Sequence, residues 1–548
     1  MRFGNTTALG SKFLVSCILT ISMLFTGCET ATNSNASREQ VSSANYSTSS
    51  NMMMSNASMT SNGLAEQVEL KKEIGSDLET RGERYAKIEE NPFLETSQAP
   101  LSTFSIDVDT ASYANVRRYL NDGQLPPKDA VRIEELINYF EYDYPQPIGD
   151  VPFSVNTEVA TCAWNAKHKI VSIGLQGKKV SLDSTPPSNL VFLLDVSGSM
   201  NDPLKLPLLK EALRILVNQL STKDRVAIVV YAGGSGLVLP STGNRGEILN
   251  ALNNLEAGGS TDGGQGIRLA YKVALDNFIR DGNNRVILAT DGDFNVGLTS
   301  DEELVKLIEN KRQSGIFLSV LGFGTGNTND SMMEKLADKG NGNYAYIDSQ
   351  AEARKALGEQ AAGTLYTIAK DVKIQIEFNP AKVAGYRLIG YENRLLANRD
   401  FNDDKKDAGE IGAGHSVTAL YEIVPAGQKI ENDGVDKLRY AKTETSVTNF
   451  NDELLTVKLR YKEPEGNVSK LLSQGLLDTG NSMENASDNL QFASSIAEFG
   501  LLLRNSRYKG SANYVNTLSF AKNSLGSDLK SYRKDFVILV NKAKYLQK

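Results

Sequence analysis

The chain has 548 residues, 40% of them hydrophobic, a net charge of −7 and only two histidines, His168 and His415. Such a length and apolar fraction fit roughly two to four globular domains. The acidic balance, with no Arg-rich run or RNA-binding aromatic motif, speaks against a nucleic-acid partner, and two distant histidines leave little for zinc or histidine catalysis, so any metal chemistry must rely on oxygen donors.

Arg2 and Lys12 accompany a nearly continuous apolar run over residues 13–25, followed by Thr26, Gly27 and Cys28. This reads as an export signal that is removed rather than folded, since about 13 apolar residues fall short of the roughly 20 a membrane-spanning helix needs. A small residue and Gly before Cys resembles the bacterial lipoprotein processing box, although Phe25 stands where Leu is usual. The resemblance implies a signal peptide over 1–27, Cys28 as the acylated, palmitate-type lipidation site, and a place on a bacterial cell-envelope membrane, at the periplasmic face or the cell surface. An ordinary signal cut nearby, with Cys28 an incidental thiol, is the alternative. With Cys17 removed and Cys28 lipidated, Cys162 has no disulfide partner and reads as a buried thiol.

Residues 28–90 are rich in Ser, Asn and Met and poor in branched apolar residues, which predicts a disordered tether; about 55 flexible residues span roughly 40 Å. A flanking α+β region follows over 91–185, with a strand over 104–108, a helix beginning at Asp109, a helix over 131–140 and strands over 153–160 and 169–175. After Pro186 and Pro187 short apolar runs alternate with helical segments up to residue 362. Strands are predicted over 190–194, 225–231, 236–239, 285–289, 316–321 and 344–347, with helices over 204–220, 266–278 and 302–311. This is the pattern of a doubly wound α/β domain: a mainly parallel sheet with helices on both faces. Residues 363–548 return to alternating, antiparallel strands and end in helices from Asp488. The strands before and after the α/β domain are expected to share one sheet, as an inserted domain tolerates close ends.

The segment Asp195-Val-Ser197-Gly-Ser199 leaves the first strand of that domain, Thr261 sits on a Gly-rich loop, and Asp291 ends another strand. In an extended exit Asp195, Ser197 and Ser199 point the same way, and such strand ends gather at the crevice where open α/β sheets bind ligands. Two carboxylates and three hydroxyls suit Mg²⁺, with Mn²⁺ or Ca²⁺ as alternatives. Asp293 reads as a solvated loop carboxylate and Asp262 as a helix cap. Asp107 and Asp109 form a possible second cation pair, although strand alternation and a helix cap explain them more simply. His415, among glycines, reads as a turn or packing residue.

The pattern Asp-x-Ser-x-Ser, a distant Thr and Thr-Asp-Gly resembles the metal-ion-dependent adhesion site of von Willebrand factor type A domains. That resemblance implies Ser197 and Ser199 as direct ligands, Thr261, Asp195 and Asp291 as ligands directly or through water, and a remaining position for a partner's Asp or Glu carboxylate. Residues 105–113 and 409–422 resemble the segments flanking this domain in bacterial YfbK-type lipoproteins. The expected function is therefore a membrane-anchored, metal-dependent adhesion or scaffold protein without turnover. The alternatives are a Mg²⁺-dependent hydrolase, for which no nearby His, phosphate loop or nucleophile elbow is present, and a metal-free scaffold acting through its flanking regions.

Overall fold

The computed structural model describes residues 82–547, apart from 107–108, 181–184, 232–235, 259–262, 293–300, 327, 431–451 and 465. Cys28, Asp107, Thr261, Asp262 and Asp293 therefore lie outside the described residues. None of the helices among the described residues is long and apolar enough to cross a membrane.

The tether expected to reach residue 90 gives way to packed chain earlier. Glu83 is buried, and its carboxylate accepts hydrogen bonds from Tyr85, Arg118, Tyr119 and the Gly326 backbone N–H; four donors, one charged, offset its desolvation. Strands β1 (Leu94–Glu95) and β2 (Leu101–Ser105) follow, then helices α1 (Ala111–Asn121) and α2 (Ile133–Asn138) and the hairpin β3 (Phe153–Cys162) and β4 (Asn165–Gly177). The strand predicted over 104–108 lies further toward the N-terminus, as β2.

The α/β domain runs through β5 (Ser188–Asp195), α3 (Leu206–Gln219), β6 (Arg225–Tyr231), β7 (Gly236–Thr242), α4 (Arg245–Asn253), α5 (Gly263–Asp276), β8 (Asn283–Thr290), α6 (Asp301–Arg312), β9 (Phe317–Phe323), α7 (Asp330–Lys339) and β10 (Tyr344–Ile347), then short helices α8 (Gln350–Arg354) and α9 (Ala361–Leu365). Its sheet order is β10-β9-β8-β5-β6-β7, parallel except for β7, which pairs antiparallel with β6. Pro240 within β7 suits an edge strand, where no ladder hydrogen bond is lost. Every residue of β5 is buried. Leu190, Phe192 and Leu194 enter one core with Leu209, Leu213 and Leu216 of α3, whereas Val191 and Leu193 enter the other with Ile267 and Tyr271 of α5, Ile308 of α6 and Leu336 of α7. Period-two alternation thus buries both faces of one strand, each large side chain contributing about 1.5–3 kcal/mol.

The chain then returns through β11 (Thr367–Phe378), β12 (Val383–Ile389), β13 (Gly409–Gly412), β14 (Ser416–Pro425), β15 (Glu453–Lys462), β16 (Lys470–Leu477) and helices α10 (Asp488–Leu503), α11 (Tyr514–Asn523) and α12 (Tyr532–Leu546). Strands from both sides of the α/β domain share sheets: one has the order β1-β12-β14-β4-β3, and in the other, β13-β11-β15-β16, β2 also pairs with β11. A single core holds Phe104, Val171 and Ile173 together with Ile374, Ile376 and Val457, so the two sheets form a sandwich into which the α/β domain is inserted between β4 and β11. Another core joins Val116, Leu136 and Phe140 of the N-terminal region to Phe492, Ile496 and Phe536 of the C-terminal helices.

Buried charge ties the sandwich to the inserted domain. Arg132 pairs with Glu135, with Asp330 at 2.7 Å and with Glu334 at 3.6 Å, and its side chain is 5% exposed. Asp109 accepts from the Tyr344 backbone N–H at 2.8 Å and pairs with Arg394 at 3.2 Å. It is therefore a tie between elements rather than the expected helix cap, since Thr110 holds the cap position; Asp107, its partner in the possible second cation pair, lies outside the described residues. Glu134 stands apart: its Oε2 is buried without a hydrogen-bond partner, and burial, reinforced by the Glu392 carboxylate, pushes its carboxyl up to about 8. The folded chain then keeps a proton that the unfolded chain releases near its ordinary value, so stability falls as pH rises from the usual carboxylate range to about 8. Glu134→Gln, with no proton to take up, should match the wild type near pH 4.5 and gain roughly 2 kcal/mol or more at pH 8; equal denaturation midpoints at both pH values would contradict this.

Candidate metal centre

The order of the sheet reverses at β5, which is followed in sequence by β6 on one side and flanked by β8 on the other. Ligands of open α/β sheets bind beyond the C-terminal ends of the strands at such a switch point, and there the sequence places Asp195 on β5 and Asp291 just after β8.

Asp195 is fully buried and Asp291 is 1% exposed. The Asp195 carboxylate accepts from the Ser197 backbone N–H at 2.9 Å, from Tyr231 Oη at 3.2 Å and from Thr290 Oγ1 at 3.3 Å, a set that fixes its orientation. The Ser197 and Ser199 hydroxyls lie 3.0 Å apart, Ser197 buried and Ser199 exposed. Burial raises the Asp195 carboxyl above its ordinary range and the Asp291 charge pushes the same way, against the hydrogen bonds from Ser197 and Tyr231. Two buried like charges and a pair of hydroxyls thus meet at one strand-end crevice. Thr261 lies outside the described residues, but the start of its loop is anchored here, since Gly258 N–H donates to the Val196 carbonyl at 2.7 Å.

Two features hold the Asp291 side. Gly292 has φ +90°, and a Cβ there would meet Asn329 N at 2.7 Å, so the turn after Asp291 needs glycine both for its dihedral and for the close approach. Lys205, the residue before α3, places Nζ 2.8 Å from Asp291 Oδ2, with 11% and none of the respective side chains exposed. The sequence reading missed Lys205 and Tyr231. Tyr231 ends β6 beside Asp195 in the ladder, which the strand prediction could have indicated; nothing local marks Lys205.

The donor chemistry fits a hard divalent cation: carboxylate and hydroxyl oxygens, with no imidazole or thiolate. Among the described residues no group of three or more His, Cys, Asp or Glu is placed to hold a metal, so a cation here depends on the serine hydroxyls. The two histidines serve elsewhere. His168 is bonded to Glu422 at 2.6 Å, and the His415 imidazole lies against Gly363, with burial pushing it down to about 4. Cys162 is a buried free thiol.

Comparison with known proteins places these observations. The von Willebrand factor type A domain profile matches residues 189–360, one described as von Willebrand factor matches 79–172, and one described as Uncharacterized protein YfbK, C-terminal, matches 363–546. Uncharacterized protein YfbK of Escherichia coli (strain K12) is 43% identical over 472 residues, covering 84% of this chain and 81% of that protein. The chain belongs to the YfbK family. Inter-alpha-trypsin inhibitor heavy chain H3 of Homo sapiens is 26% identical over 260 residues, 43% of this chain and 28% of that protein. Among solved structures, von Willebrand factor type A from Catenulispora acidiphila is 16% identical and covers 73% of this chain and 91% of that one, with a TM-score of 0.40. The α/β domain of this YfbK-family chain is accordingly a von Willebrand factor type A domain inserted in a sandwich of the flanking strands.

Proposed function

We propose that this YfbK-family protein is a lipid-anchored, divalent-metal-dependent binding module of the bacterial cell envelope, which captures a protein partner through an Asp or Glu carboxylate and performs no turnover. The observation that carries the reading is the convergence of buried Asp195 and Asp291 with the paired Ser197 and Ser199 hydroxyls at the switch point of the sheet. Mg²⁺ held by Ser197 and Ser199, with Asp195, Asp291 and Thr261 directly or through water, would supply an open coordination position for a carboxylate oxygen. Tyr231, Thr290 and the Ser197 N–H orient Asp195, and the tight turn at Gly292 sets Asp291.

Two experiments test the two halves of this reading. Capture of envelope proteins by the full chain should be reversed by chelator and restored by Mg²⁺ or Mn²⁺, and chelator-insensitive capture would remove the metal from the account. Cys28→Ser should move the protein from the membrane to the soluble fraction on cell lysis; a variant that still sediments with membranes rules out the lipid anchor.

A further inference from the structure

We infer that Lys205 is a built-in counter-cation of the candidate metal centre, which holds Asp291 in the metal-free chain and keeps divalent affinity low so that metal and an anionic ligand bind cooperatively. The inference rests on the metal-site reading above and adds a residue and a regulation to it.

Three observations converge on this lysine. Its ammonium is 2.8 Å from Asp291 Oδ2, in a pair almost wholly removed from water. Its aliphatic stem runs across Gly324, at φ +74° just past β9, where a Cβ would collide with Lys205 Cε and Cγ, so the path to Asp291 depends on a missing side chain. It immediately precedes the 14-residue helix α3, and no side chain caps that end, so the positive end of the helix adds charge of the same sign.

The consequence follows from counting charges. Asp195 and Asp291 alone would neutralise a divalent cation and leave little attraction for a further carboxylate. With Lys205 beside them the loaded site carries a net positive charge. Like-charge repulsion weakens the metal's own binding, and the same excess strengthens the pull on an incoming carboxylate. An anionic ligand relieves the repulsion, so each binding event favours the other.

The test uses the full chain and Mn²⁺ alone as the probe. Lys205→Gln keeps a hydrogen-bond donor for Asp291 without the charge, and Lys205→Met removes both. Calorimetric titration should show Mn²⁺ binding about tenfold or more tighter in Lys205→Gln than in the wild type. Metal-free Lys205→Met should melt below the wild type, and saturating Mn²⁺ should raise its melting temperature by more than it raises that of the wild type. Equal Mn²⁺ affinities in wild type and Lys205→Gln would overturn the role of Lys205 while leaving the metal site standing. No Mn²⁺ binding by any of the three proteins would overturn the metal-site reading itself, and the role of Lys205 with it.

Discussion

Asp195→Ala should abolish chelator-sensitive partner capture and weaken divalent binding by about a hundredfold or more, while the chain stays folded. The side chain is fully buried at the end of β5 and is the acceptor on which the Ser197 N–H, Tyr231 and Thr290 converge. Its loss removes one of two carboxylates from the candidate centre and, with it, the group that orients the Ser197 turn. The fold does not depend on it in the same way. Burial and the Asp291 charge both disfavour the ionised carboxylate, so removing that charge offsets much of what the orphaned Tyr231 and Thr290 hydroxyls cost. Asp195→Asn, which keeps the shape, should be at least as stable as the wild type in metal-free buffer. Circular dichroism melts within a few degrees of the wild type, together with lost capture, are the expected result; capture that survives in Asp195→Ala would remove this site from the function.

Arg132→Met should cost roughly 3–5 kcal/mol of stability, because it leaves the buried Asp330 and Glu135 carboxylates without this cation. Arg132 belongs to the sandwich side, at the start of α2, whereas Asp330 and Glu334 belong to α7 of the inserted domain. The Asp330 carboxylate also accepts from Asn115 and Tyr344, so the network fixes where α7 begins. That position matters for the candidate centre, since Asn329, one residue earlier, packs against Gly292 beside Asp291. Denaturant unfolding of the full chain should therefore show a lower midpoint, and limited proteolysis should show easier cleavage near residues 325–330. A loss below about 1 kcal/mol would mean that the arginine is dispensable to the junction.

The parts of this architecture that the sequence announces are those whose burial pattern is local. The Leu190–Leu194 stretch of β5 is apolar throughout because both its faces are covered, and β6 and β10 fall at their predicted ends. Asp195, Ser197, Ser199 and Asp291 were legible because short-range spacing and strand ends put them in one crevice. Helix α4 was not anticipated, although Asn244 and Glu247 are a capping pair: the Asn244 side chain accepts from Gly246 and Glu247 N–H. What stays hidden is long-range pairing. Lys205 meets an aspartate 86 residues away, Asp109 meets a backbone N–H 235 residues away, and Glu83, in the segment that reads as a disordered tether, is buried where Arg118, Tyr119 and the Gly326 N–H reach it from distant parts of the chain. No periodicity records such partners.

Whether Asp195, Ser197, Ser199, Thr261 and Asp291 hold a divalent cation is tested most directly by calorimetric titration of the full chain with Mg²⁺ and Mn²⁺, beside Ser197→Ala. Saturable binding at one ion per chain, lost in Ser197→Ala, is the expected result. Heats that never saturate, or identical isotherms for the wild type and Ser197→Ala, would contradict it.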